Sequence, residues 1–130
     1  MADAKIATVY AEALLDLVLE SAGNGADAQK QALEELEGEF SAALNTMKSE
    51  AAVWDFFRSP VVGADAKQRI LDSVFQSALS ANLYNFLGVL NTRGRLYELP
   101  DILSAYTDMA DERIGRRRVT VYSAQALSDA

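Results

Sequence analysis

Two groups of side chains are dense enough to do chemistry. Glu34, Glu35, Glu37 and Glu39 crowd one short stretch, and carboxylates at that density can ligate a divalent cation or share a proton. Arg113, Arg116, Arg117 and Arg118 gather near the other end of the chain, and guanidinium forks suit phosphate. Neither group has the company such chemistry needs. The chain contains no histidine and no cysteine, which removes imidazole acid–base catalysis, thiol nucleophiles, Ser/His/Asp triads and zinc sites. A helical di-metal carboxylate site also takes a Glu-x-x-His pair, which cannot exist here. Glycine-rich phosphate-binding patterns are absent, so no catalytic, metal or cofactor site is expected. The glutamates then read as the solvated face of a helix. The arginines read as the cationic C-terminal end of a different, later helix, paired with that helix's dipole and with Asp108, Asp111 and Glu112.

Twelve basic residues stand against nineteen acidic ones in 130, a net charge of −7. That balance repels a phosphate backbone, so no nucleic-acid partner is expected. The alternative reading is a helical RNA-binding bundle of the antitermination type, which would use Arg113 and Arg116 to Arg118 and show steep salt dependence. No apolar run is long enough to cross a bilayer and the N-terminus lacks a signal-peptide pattern, so direct membrane insertion is not expected.

The elements follow from spacing. Apolar residues recur at three- and four-residue steps between sparse glycines and prolines, which predicts an all-α, compact six-helix bundle with a short C-terminal extended segment. Helix 1 should run from about Asp3 to Glu20, with Ile6, Val9, Tyr10, Ala13, Leu14, Leu17 and Val18 as its core face, and end at Gly23-Asn24-Gly25. Helix 2 should start near Asp27 as N-cap and bury Leu33, Leu36, Phe40, Ala43, Leu44 and Met47 before Lys48. Helix 3, from Glu50 to about Arg58, should stop at Ser59-Pro60, because the residue before proline is pushed out of the α region. Helix 4 follows Gly63-Ala64-Asp65 and should point Ile70, Leu71, Val74 and Phe75 inward through about Ala78. Helix 5, from Ser80 to about Thr92, should bury Leu83, Phe86, Leu87 and Leu90. Helix 6 should start near Leu96 or Leu99 and reach Ile114. After Arg118 the period changes to that of a strand at Val119 to Tyr122. A lone strand has no ladder partner, so 1–116 reads as one helical domain and 117–130 as the linker and first strand of a second.

Two surfaces are more apolar than a free-standing bundle requires. Helix 1 adds Ala4, Ala7, Ala11 and Leu15 to its core face, well beyond the ~100° that one core contact needs. No charge occurs between Asp72 and Arg93, so helix 5, with Ala81, Asn82, Asn85, Gly88 and Val89 on its outer positions, does not read as solvated. A groove between the two helices would fit a partner's amphipathic helix, with Glu12 and Asp16 at the rim steering a basic segment.

The order of pieces is itself distinctive. Tyr10-Ala11-Glu12-Ala13-Leu14, then Phe57-Arg58-Ser59-Pro60-Val61-Val62 before a Lys67 helix, then Asn85-Phe86-Leu87-Gly88-Val89-Leu90 running to Arg93-Gly94-Arg95-Leu96, then Leu99-Pro100-Asp101-Ile102 and Val119-Thr120-Val121-Tyr122-Ser123-Ala124 resemble the delta subunit (OSCP) family of F-type ATP synthases. The resemblance implies a non-catalytic stator subunit without cofactor or metal, peripheral on the cytoplasmic side of a bacterial inner membrane. Its six-helix N-terminal domain would grip the N-terminal helix of the alpha subunit, and its second domain would join the b subunits of the peripheral stalk. The family docks its partner on the first and fifth helices. The matching positions are Ala7, Tyr10, Ala11, Leu14, Asn82, Asn85, Phe86 and Val89.

Overall fold

A computed structural model describes residues 3–115, with side chains from Lys5 onward. Among them are six α-helices and one 3-10 turn: α1 (Asp3–Ala22), α2 (Ala26–Lys48), α3 (Ala51–Arg58), α4 (Ala64–Phe75), α5 (Ala81–Thr92), the turn Leu96–Glu98, and α6 (Leu99–Ile114). The expected extended segment and the second-domain strand at 117–130 lie outside the described residues, as do Arg116 to Arg118.

Local chemistry sets most of the boundaries. Gly23 ends α1 at φ 87° and Gly115 ends α6 at φ 76°, left-handed conformations in which a Cβ would clash with the backbone. Ser59, before Pro60, is extended and closes α3. Ser80 caps α5 by accepting from the Leu83 amide, and its own hydroxyl donates to Glu39 Oε1 at 2.8 Å, which fastens the start of α5 to α2. Pro100 sits in the first turn of α6, where its missing amide hydrogen costs nothing. One cap falls elsewhere than expected. Gly25 rather than Asp27 occupies the N-cap of α2; Gly63 occupies that of α4, and Asp27 and Asp65 lie in the first turns, where they act on the helix dipoles.

In the packing, α1 lies against α6, α2 and α5, α2 also lies against α6, and α4 is held mainly by α5. The core on α2 is the expected set, Leu33, Leu36, Phe40, Ala43, Leu44 and Met47, and that on α5 includes Leu83, Phe86, Leu87 and Leu90. On α4 only Leu71 and Phe75 turn inward among the expected four, while Ile70 and Val74 are exposed. The short α4 touches the bundle along one narrow edge, so two of its four aliphatics stay outside.

Buried polar groups tie the layers together. The Tyr106 hydroxyl, fully buried on α6, donates to the Leu33 carbonyl of α2 at 3.0 Å. Burial, with help from the Glu37 carboxylate, pushes this phenol far above the ordinary tyrosine range, so it stays a neutral donor. Lys67 is buried with its ammonium donating to the Ser59 carbonyl at 2.7 Å, and burial lowers its pKa. The Asn91 amide donates to Ala64 O at 2.9 Å and Gln68 Oε1 at 3.0 Å, and so pins α5 to α4.

Gly38 sits mid-helix on α2, exposed, with open space where a Cβ would go. Gly38→Ala should therefore stabilise the fold by about 0.5–1 kcal/mol, through reduced backbone freedom in the unfolded chain. A higher urea midpoint at unchanged slope is the expected readout.

Candidate functional site

Among the described residues the bundle leaves a groove of about 740 Å³ between α1 and α5. Ile6, Val9, Tyr10, Ala13 and Leu17 form its α1 wall, and Asn82, Asn85, Phe86 and Val89 its α5 wall. These α1 positions follow helical spacing along one stripe, so they share one side of the helix. The two helices run antiparallel: Asn82 in the first turn of α5 donates to Ser21 Oγ near the end of α1 at 3.0 Å, while Lys5, Arg93 and Arg95 line the opposite end.

Phe86 is the floor. It is nearly buried and packs edge-to-face with Tyr10 at 6.4 Å between ring centroids, and with core residue Phe40 at the same separation. That stack fixes Tyr10 as a rigid half-buried surface rather than a mobile side chain. Above it, Val9 is 58% exposed, Leu17 42% and Val89 46%, so the apolar walls face outward without cover from the bundle.

The eight residues expected at a docking surface divide between two sides. Tyr10, Asn82, Asn85, Phe86 and Val89 line the groove. Ala7, Ala11 and Leu14 do not: they are 2%, 0% and 0% exposed and belong to the core. The expected core face of helix 1 is corrected with them. Ala7, Ala11, Leu14, Leu15 and Val18 turn inward, while Ile6, Val9, Ala13 and Leu17 turn to the groove. Small alanines let the central helix approach its neighbours closely, and the bulkier stripe is left over for the outside. Spacing alone marked both stripes as apolar and could not rank them.

Three further expectations shift. Gly88 is turned towards Gln68 of α4, in an adjoining hollow with Tyr84, rather than into the main groove. Of the polar residues in the uncharged stretch, Asn91 and Asn82 spend their amides on Gln68, Ala64 and Ser21, whereas Asn85 is exposed at the groove wall. The rim acids Glu12 and Asp16 are exposed but line no part of the groove, whose charged residues are Lys5, Arg93 and Arg95.

Among the described residues no group of three or more acidic side chains is placed to hold a metal, and Glu34 and Glu35 are exposed on α2. Asp72 on α4 accepts from the Tyr84 hydroxyl and from Gln68 Nε2 at 2.9 Å; these donors, Tyr84 foremost, lower its pKa, and the Asp72 carboxylate in turn raises that of Tyr84. The pair braces α4 against α5. Among the described residues no helix is long and apolar enough to cross a membrane.

An apolar groove on a small acidic helical domain fits many partners, and similarity to known proteins narrows the choice. The profile of the ATP synthase delta (OSCP) subunit family matches residues 6–130. The chain belongs to this family. It is 31% identical over its whole length to the ATP synthase subunit delta of Leptospira borgpetersenii, of which it covers 63%. To the subunit of the same name from Synechococcus it is 32% identical over 95% of the chain and 64% of the relative, and to that of Myxococcus xanthus 33% over 98% and 66%. The delta-family chain thus spans somewhat less than two thirds of the curated relatives it matches. No solved structure matches it.

Proposed function

We propose that the chain is the head-side joint of the stator in a bacterial F-type ATP synthase, and that the groove between α1 and α5 holds the N-terminal helix of the alpha subunit. The b subunits of the peripheral stalk attach through the second domain that the family resemblance implies. The observation that carries the reading is the exposed apolar groove, floored by Phe86 and walled by Val9, Leu17 and Val89. A partner helix with apolar residues at i, i+3, i+4 and i+7 fills such a surface, and Asn85 offers it an amide.

The role is mechanical. Torque on the rotor turns the whole head unless a tether holds it, and this subunit is the upper link of that tether on the cytoplasmic face of the membrane. Slow dissociation is the property to expect of it, since a joint that releases under load lets the proton gradient run down unused. ATP chemistry belongs to the other subunits, and the lack of histidine and cysteine agrees with a chain that has no turnover of its own.

A peptide from the alpha-subunit N-terminus, titrated into the labelled protein, should shift amide resonances of Ile6 to Leu17 and Asn82 to Val89 and leave the exposed face of α2 unchanged. Shifts confined to α2, or none at micromolar peptide, would defeat the proposal.

A further inference from the structure

The groove's charges hold information that its apolar lining does not. Acidic residues outnumber basic ones 19 to 12 over the chain, yet the charged side chains lining the groove are all cationic: Lys5, Arg93 and Arg95. All three lie at the end where α1 begins and α5 finishes. Arg95 is partly committed, its guanidinium 3.5 Å from the buried Glu98 carboxylate. Lys5 and Arg93 are exposed, and among the described residues neither forms an ion pair.

The bundle's own electrostatics do not account for both cations. Arg93 follows the last residue of α5, where the dipole favours positive charge. Lys5 is in the first turn of α1, where the dipole disfavours it. A cation held against its own helix, facing an apolar groove beside a second cation that has no ion pair among the described residues, is suited to an anionic group from outside.

Building on the groove reading, we infer that the docked helix carries aspartate or glutamate side chains in the turn lying over Lys5 and Arg93, and that this contact decides which way round the helix lies. An apolar stripe repeats every few residues, so its anchors fit the walls about equally well in either direction. One charged end breaks that symmetry, because the reversed helix leaves its carboxylates over Leu17 and Asn82 and the two cations unanswered. Rim charges act mainly on orientation and encounter rate and contribute modestly to affinity. The acidic partner replaces the basic one that Glu12 and Asp16 suggested, since neither acid lines the groove.

Two synthetic peptides with identical apolar anchors, one with paired glutamates in its first turn and one in its last, test this. Each carries a nitroxide at its N-terminus and is titrated into the full chain by NMR and calorimetry. The first should broaden resonances around Lys5 and Arg93, the second those around Leu17 and Asn82, with affinities that fall as salt rises. The double variant Lys5→Glu with Arg93→Glu, at exposed positions that leave the core untouched, should weaken both peptides about tenfold and abolish the sorting. If both labels broaden the same end, or the double variant binds as tightly as the parent, the charge inference is overturned and the groove reading stands. If neither peptide nor the alpha-subunit peptide perturbs α1 and α5, both fall.

Discussion

Val9→Asp together with Val89→Asp should abolish recognition of the alpha-subunit peptide, with a loss of at least about 100-fold, while the fold melts within a few degrees of the parent. The two valines stand on opposite walls, 58% and 46% exposed, so neither holds the bundle together. In the free protein each aspartate is solvated and costs little beyond the lower helix propensity of its side chain. Under a docked helix the same carboxylates lose water without gaining a hydrogen-bond partner, and each buried unpaired charge opposes binding strongly. Calorimetric titration gives the affinity, and thermal melting by circular dichroism gives the stability. Retained affinity in a folded double variant would mean that the partner docks elsewhere. A collapsed melting temperature would mean that this surface is sealed in solution and was never a groove.

Much of the fold was legible because its signals are local. Prolines, the Gly23 turn and the three-and-four spacing set the helices, and each acts within a few residues of where it is read. The groove was legible only as a surplus. Too much apolar surface on helix 1 and too little charge on helix 5 implied a covering partner, and Tyr10, Asn82, Asn85, Phe86 and Val89 do line the groove between them. What spacing could not decide was which of two apolar stripes on one helix the bundle would keep. The expected core face held Ile6, Val9 and Leu17; close packing took Ala7 and Ala11 instead, so the candidate set straddled both sides. The buried polar residues were out of reach for a different reason. Lys67 and Glu98 look like surface charges until the Ser59 carbonyl and Arg95 are brought to them by the tertiary fold. Lys5, Arg93 and Arg95 likewise sit far apart along the chain, and only the antiparallel pairing of α1 with α5 gathers them.

The division of α1 into a kept face and an offered face predicts opposite behaviour from two leucines three positions apart. Leu14 is fully buried and belongs to the core cluster, whereas Leu17 is 42% exposed and lines the groove. Leu14→Ala removes buried methyl groups and leaves a cavity that neighbouring helices fill only in part, and should cost about 2–5 kcal/mol of stability. For a domain of this size that is a fall in melting temperature on the order of 10 °C or more. Leu17→Ala exposes no core and favours helix slightly, so it should cost under about 1 kcal/mol. In binding the order reverses. Leu17→Ala strips an anchor contact from the groove wall and should weaken the alpha-subunit peptide about tenfold. Leu14→Ala, measured at a temperature where it remains folded, should bind within a few-fold of the parent, because Leu14 meets no part of the groove. Chemical denaturation and peptide titration on the same two variants therefore read the helix's two faces separately. Equal destabilisation by both would place Leu17 in the core and remove the outward stripe on which the partner's helix is supposed to rest.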